Sequence, residues 1–217
     1  MHPPDCPIFD YSRHRDRRKV LSAENRTLLI ALASGAEQSQ AIADTRPVHR
    51  VLFIRLCPQG YEYYAGHYRG ESFRCLRYLR VGVGGDARVG ASPELVADRM
   101  RNLGKDISSG LAALDSVRQL PESQQLNETD RILIICALAC RIFVEFLTIH
   151  PFADGNGHIA RFCLLAVFAR FGYLIQGWQV EPRPSYPQYP ALISEYRNGN
   201  HELLEGYVLS LPIQRLR

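Results

Sequence analysis

The stretch TIHPFADGNGHIARFCLL, Thr148 to Leu165, interrupts an apolar helical pattern with a histidine, an acid, Gly-Asn-Gly and an arginine, and then resumes it. Upstream, Ile132, Ile135, Ala139, Phe143 and Phe146 recur every three or four residues, and the same stripe arrives at His150. Downstream, Phe162, Ala166 and Ala169 lead to Gly172, which suits a helix C-terminus. Packing alone does not require such a junction. If a helix begins at Asn156 or Gly157, the glycines let the backbone turn its N–H groups into a concave nest. The positive end of the helix then completes an anion site suited to phosphate.

The side chains around the nest extend that chemistry. Arg161 lies one turn into the helix and leans back toward its N-terminus, with His158 three residues earlier on the same face. Asp154 offers hard oxygen ligands for a magnesium ion bridging phosphates. His150, on the opposite lip, is the base, since its ordinary titration range makes it useful at neutral pH. The set describes Mg-nucleotide binding with deprotonation of an incoming hydroxyl. Each part alone is unspecific, and it is their order within twelve residues, between two apolar helices, that carries the signal.

The rest of the chain bounds this reading. At 217 residues with 46% hydrophobic side chains, it is long enough for one substantial core, and we expect one domain over 21–217. The formal charge of +4 is mild and comes almost wholly from arginine, Lys19 and Lys105 being the only lysines, so a nucleic-acid partner is not implied. Residues 1–20, with the basic run YSRHRDRRKV, read as a flexible basic arm. No signal-peptide core precedes it, and the densest apolar run, Ile132 to Cys140, is too short to span a bilayer, so no membrane partner is expected and the location expected is cytoplasmic. Cys6, Cys57, Cys75, Cys136, Cys140 and Cys163 form no CxxC pair or Cys/His metal spacing, which predicts core thiols without disulfides or zinc.

Further elements follow from caps and periods. Ser22 caps a helix running to about Glu37, and VHRVLFIRL, Val48 to Leu56, fits strand or helix. FRCLRYLRVGVGGDARV, Phe73 to Val89, sets Gly84-Gly85 between short alternating segments, which suits a hairpin. Ser92 and Pro93 open a helix to Leu114 or beyond, and Asn127 or Thr129 caps the next one. After the proline-rich EPRPSYPQYP, two short helices close the chain, ALISEYRNG and HELLEGYVLSL.

HPFADGNGHIAR resembles the signature loop of Fic-domain proteins: His, any, Phe, any, Asp or Glu, Gly, Asn, Gly, Arg, two of any residue, Arg. Only His158 departs, standing where the pattern has arginine. VHRVLF, AGHYRG, LRVGVGG and YPALISEYRNGN appear in family order, so the resemblance runs from about Val48 to Pro212. It favours helix for Val48–Leu56. It implies a mainly α fold, a Fic-type helical bundle with a small β-hairpin flap, and transfer of AMP from ATP, with Mg2+, to a Ser, Thr or Tyr hydroxyl of a target protein.

By resemblance His150 is the general base, Asp154 the metal ligand, and Gly155, Asn156 and Gly157 the anion hole. His158 and Arg161 then face the nucleotide, Phe152 anchors the loop, and Val81, Gly82, Val83 and Gly84 dock the target. Glu37 resembles the glutamate of an inhibitory helix, here residues 22–37, that blocks Arg161. Neutral imidazole at His158 gives up the charged fork of an arginine, which predicts weakened transfer. The target can be the chain itself, and a homodimer is allowed for. Two alternatives stay open: removal of AMP or another phosphate-linked transfer on the same fold, and a degenerate, non-catalytic nucleotide-binding or regulatory protein.

Overall fold

The structure, a computed structural model, describes residues 5–33, 38–83, 86–184 and 188–216. In chain order its helices are α1 (Arg17–Ala33), α2 (Gln38–Ala43), α3 (Arg46–Phe53), α4 (Pro93–Arg118), α5 (Glu128–Ile149), α6 (Asn156–Arg170), α7 (Tyr189–Arg197) and α8 (Glu202–Leu209). Among the described residues the fold is thus mainly α. One small antiparallel sheet joins it, β1 (Tyr173–Ile175) with β2 (Ile213–Arg215), pairing Tyr173 with Arg215 and Ile175 with Ile213.

The caps read from the sequence explain where the long helices start. Pro93 occupies the first turn of α4, and the Asn127 side chain accepts from the Asp130 N–H to open α5, a contact contributing about 1 kcal/mol. α5 buries Ile135, Ala139, Phe143 and Phe146 against α6, the predicted stripe. By length and composition α5 as a whole could cross a membrane, unlike the nine-residue run taken alone, but here more than half of it is packed inside the bundle against α4, α6 and α8. α6 is enclosed on every side, with Asn156 and all residues from His158 to Ala169 buried. A helix without a wet face shows no amphipathic period, and it must be central.

Several expectations are corrected. α1 begins at Arg17, ahead of Ser22, and Glu37 lies outside the described residues. The segment before α1 is folded onto the core, with Cys6 and Phe9 buried, and is no loose arm. Cys6 and Cys75 form a disulfide, their Cα atoms 5.7 Å apart, against the expectation of free thiols. They are 69 residues apart in sequence, so only the fold-back of the amino-terminal segment brings them together. The hairpin expected within Phe73–Val89 is reduced, among the described residues, to one bridge between Val83 and Asp86, with Gly84 and Gly85 outside the description. The two limbs are held instead at their base by close backbone approach: a Cβ on Gly90 would lie 2.1 Å from the Val81 carbonyl oxygen.

Candidate active site

The site is built where α5 ends and α6 begins. Pro151 disfavours helix at the preceding residue, and His150 leaves α5 in the left-handed region at φ 53°. That conformation costs about 1–2 kcal/mol for a residue with a Cβ. Its backbone is held there from both sides: the His150 N–H donates to Phe146 O, and its carbonyl accepts from Arg69 Nε at 2.9 Å and Nη2 at 2.7 Å. Arg69 is only 1% exposed and donates further to the carbonyls of Leu79, Ala91 and Ile149. One buried guanidinium therefore ties the base of the flap to the end of α5. Burial lowers its pKa to about 10, which leaves it charged at neutral pH, and it also complements the negative end of α5.

The loop itself is stapled by Asn156. Its Oδ1 accepts from Phe152 N–H at 2.9 Å and its Nδ2 donates to Phe152 O at 3.0 Å. The Asn156 side chain is thus committed to loop shape, and an anion can use only its backbone N–H. Phe152 is fully buried and stacks on His49 with ring centroids 3.7 Å apart, which makes it the anchor the resemblance implied. His49 accepts from Gly66 N–H at Nδ1, so its Nε2–H donates to Asp154 O at 3.0 Å. Burial holds its pKa near 3, keeping this relay neutral.

Gly155 has φ +76°, and a Cβ there would meet the buried Phe53 ring at 2.4 Å. The first intrahelical bonds of α6 run from His158 N–H and Ile159 N–H to Gly155 O, so the N–H groups of Asn156 and Gly157 open the helix ahead of them. The Gly155 N–H is already taken by Asp154 Oδ1 at 2.7 Å. A Gly155→Ala variant should unfold about 2–4 kcal/mol more easily in chemical denaturation, from the left-handed strain plus the clash with Phe53. An unchanged midpoint would show that the ring can move aside.

Arg161 leans back as expected, its Nη1 standing 3.1 Å from where a Cβ of Gly157 would be. It is 5% exposed, and its Nε donates to Val180 O at 2.8 Å. His158, 2% exposed, gives its Nε2 to Glu181 Oε2 at 2.7 Å. Burial pulls the His158 pKa down while Glu181 opposes it, and a neutral imidazole donating Nε2–H to the carboxylate satisfies both groups. His158 is thus turned to a partner that the sequence reading had left inside a proline-rich connection.

His150 sits in a setting that keeps it a free base. Burial lowers its pKa to about 4 against the pull of the Leu147 carbonyl, and Arg69 and Arg197 add to the depression. Nδ1 faces Leu147 O at 3.3 Å, which assigns the hydrogen to Nδ1 and the lone pair to Nε2. Asp154 is pushed up to about 6 by burial, while N–H groups of Gly155 and Tyr11 oppose that shift. The Tyr11 N–H reaches Asp154 Oδ2 at 3.2 Å, and the Tyr11 ring meets Phe53 at 5.2 Å and His158 edge-on at 5.1 Å.

The fold therefore brings His150, Asp154, the Gly155–Gly157 backbone, His158 and Arg161 together, and adds Arg69, His49, Glu181 and Tyr11. Of the flap residues, Val81, Gly82 and Val83 are described, with Val83 exposed, and Gly84 is outside. Residues 48–168 match the Fic/DOC family. The chain belongs to the Fic/DOC family. Its fold is similar to that of the BepC protein, a VirB-translocated effector, from Bartonella tribocorum, solved with bound AMPPNP. That match has TM-score 0.58 and 16% identity, covering 91% of this chain and 88% of that one. No curated protein matches the sequence. Within the Fic family, His158 in place of the first loop arginine is this chain's departure from the signature.

Proposed function

We propose that this Fic protein transfers AMP from ATP to a Ser, Thr or Tyr hydroxyl of a target protein, the chain itself included. The observation that carries the reading is the neutral His150, lone pair on Nε2, at the lip of the N–H nest of α6, with Asp154 and Arg161 around the same opening. The AMPPNP in the BepC structure supports a nucleoside triphosphate as the guest. His150 takes the hydroxyl proton, the oxygen attacks the α-phosphorus, and the bond to the bridging oxygen breaks with pyrophosphate leaving. The N–H groups of Asn156 and Gly157 and the Arg161 guanidinium offset the charge on the phosphates.

Magnesium fits this donor set. Magnesium usually takes one or two carboxylates from a protein and the rest of its oxygen ligands from substrate phosphates and water, so the single carboxylate of Asp154 beside the N–H nest suits it. Asp154 would hold the ion, which supplies charge neutralisation on the phosphates when bound, and its Oδ2 is the oxygen that Tyr11 N–H now occupies. ATP labelled separately at the α- and γ-phosphates tests the reaction. α-label retained on protein supports AMP transfer, whereas γ-label retained on protein would show phosphorylation instead.

The commitment of His158 to Glu181 favours one second reading, a protein that binds nucleotide with little turnover. His158→Arg restores a permanent charge and a planar fork, and α-label incorporation should rise by about tenfold or more. Equal labelling by both proteins would remove His158 as the weakening residue. The brake at Glu37 remains part of the proposal, tested by a gain of labelling in Glu37→Gly.

A further inference from the structure

This chain's own amino-terminal segment reaches Asp154 and His158 at the opening, and it is covalently tied down. Cys6 is bonded to Cys75, and Pro7 O accepts from Tyr64 Oη at 2.8 Å. Phe9 stacks on Tyr64 with centroids 5.4 Å apart and meets Phe53 edge-on. Tyr11 then places its N–H on Asp154 Oδ2 and packs its ring against both Phe53 and His158, which also touch each other. Four successive anchors, from residue 6 to residue 11, end on the carboxylate that a magnesium nucleotide would need.

We propose that residues 6–13 are a disulfide-tethered plug that keeps magnesium nucleotide out of the nest until the Cys6–Cys75 bond is reduced. The idea rests on the nucleotide reading above for what is excluded, but the plug itself is defined by its own contacts. A tether keeps a segment near its site at an effective concentration on the order of millimolar, so weak aromatic and hydrogen-bond contacts suffice to hold it. Reduction leaves residues 6–13 attached at one end only, where the chain enters α1 at Arg17, and held by those contacts. Nucleotide then competes with a segment that can swing away, and its apparent affinity rises in proportion to the open fraction.

The step balances as thiol–disulfide exchange: a dithiol reductant supplies two electrons and two protons, becomes a disulfide itself, and leaves Cys6 and Cys75 as thiols. Both cysteines are buried, so exchange begins once the segment lifts at its exposed Asp5–Arg74 edge. Phe9 and Tyr11 are apolar enough to re-dock, which makes the closed state recoverable on reoxidation.

The test uses the full chain, oxidised and after incubation with dithiothreitol, with two readouts. Amide exchange at Tyr11 should be protected when oxidised and become fast when reduced. Calorimetric binding of AMPPNP with Mg2+ should tighten by at least about tenfold on reduction, and in Cys6→Ser and Tyr11→Ala without reductant. Circular dichroism checks that both variants keep the helical fold. Tyr11 exchange that ignores reduction, or one affinity shared by oxidised, reduced and Tyr11→Ala protein, overturns the plug. Disulfide-dependent Tyr11 protection with no AMPPNP binding in any form would keep the tethered contact and sink the AMP-transfer reading. Tight reduced-state binding without α-label transfer would uphold the plug and leave a non-catalytic binder.

Discussion

His150→Ala loses transfer of α-label from ATP by about 100- to 10,000-fold while AMPPNP binding changes little. Among the described residues the other candidate acceptors are committed: Asp154 is engaged by the N–H groups of Tyr11 and Gly155, and His158 by Glu181. His49 is fully buried, with one ring nitrogen on Asp154 O and the other on Gly66 N–H. The base is also neutral over the whole range above about pH 4, so it needs no deprotonation before it can act. A variant that labels at the wild-type rate would place the base elsewhere, and one that loses both labelling and binding would show that His150 holds the nucleotide.

Arg69→Leu should unfold about 3–5 kcal/mol more easily, read by chemical denaturation in the oxidised protein. The leucine fills part of the volume but leaves the carbonyls of Leu79, Ala91, Ile149 and His150 without the donor that reaches them now. Among the described residues no carboxylate pairs with Arg69; its stabilisation comes from carbonyl dipoles and from the end of α5. Arg69→Lys should recover only a minor part, since an ammonium cannot cover four acceptors in the plane of a guanidinium. A loss below about 1 kcal/mol in Arg69→Leu would mean that the flap base holds its shape without the clasp.

The helical framework was legible because its signals are local. Ser92-Pro93, Asn127 and the Ile135–Phe146 stripe mark α4 and α5 within a few residues of where they stand. The loop was legible for a different reason: Gly155 and Asn156 occupy positions whose backbone needs, a positive φ and a side chain reaching four residues back, few other residues meet. Arg69 and His49 stood in plain view within AGHYRG and VHRVLF, yet their bonds to the His150–Asp154 loop span 81 and 105 residues, and no spacing rule reaches that far. Glu181 was hidden by its setting, because prolines around it read as a linker while its carboxylate closes on His158. β1 and β2 are three residues each, too short for alternation to register. The amino-terminal segment misled most, since its arginines dominate its composition while Cys6, Phe9 and Tyr11 decide where it goes.

The enclosure of α6 has a consequence for how such a protein can diversify. A helix wrapped on all sides transmits any change of volume to several neighbours at once, so Ile159 through Ala169 tolerate little substitution. Its first turn inherits that stiffness, and the N–H nest there cannot be retuned by moving it. Innovation is therefore confined to the parts that lie against it, namely Tyr11 and the 178–181 segment, which can be exchanged without disturbing the pillar beneath.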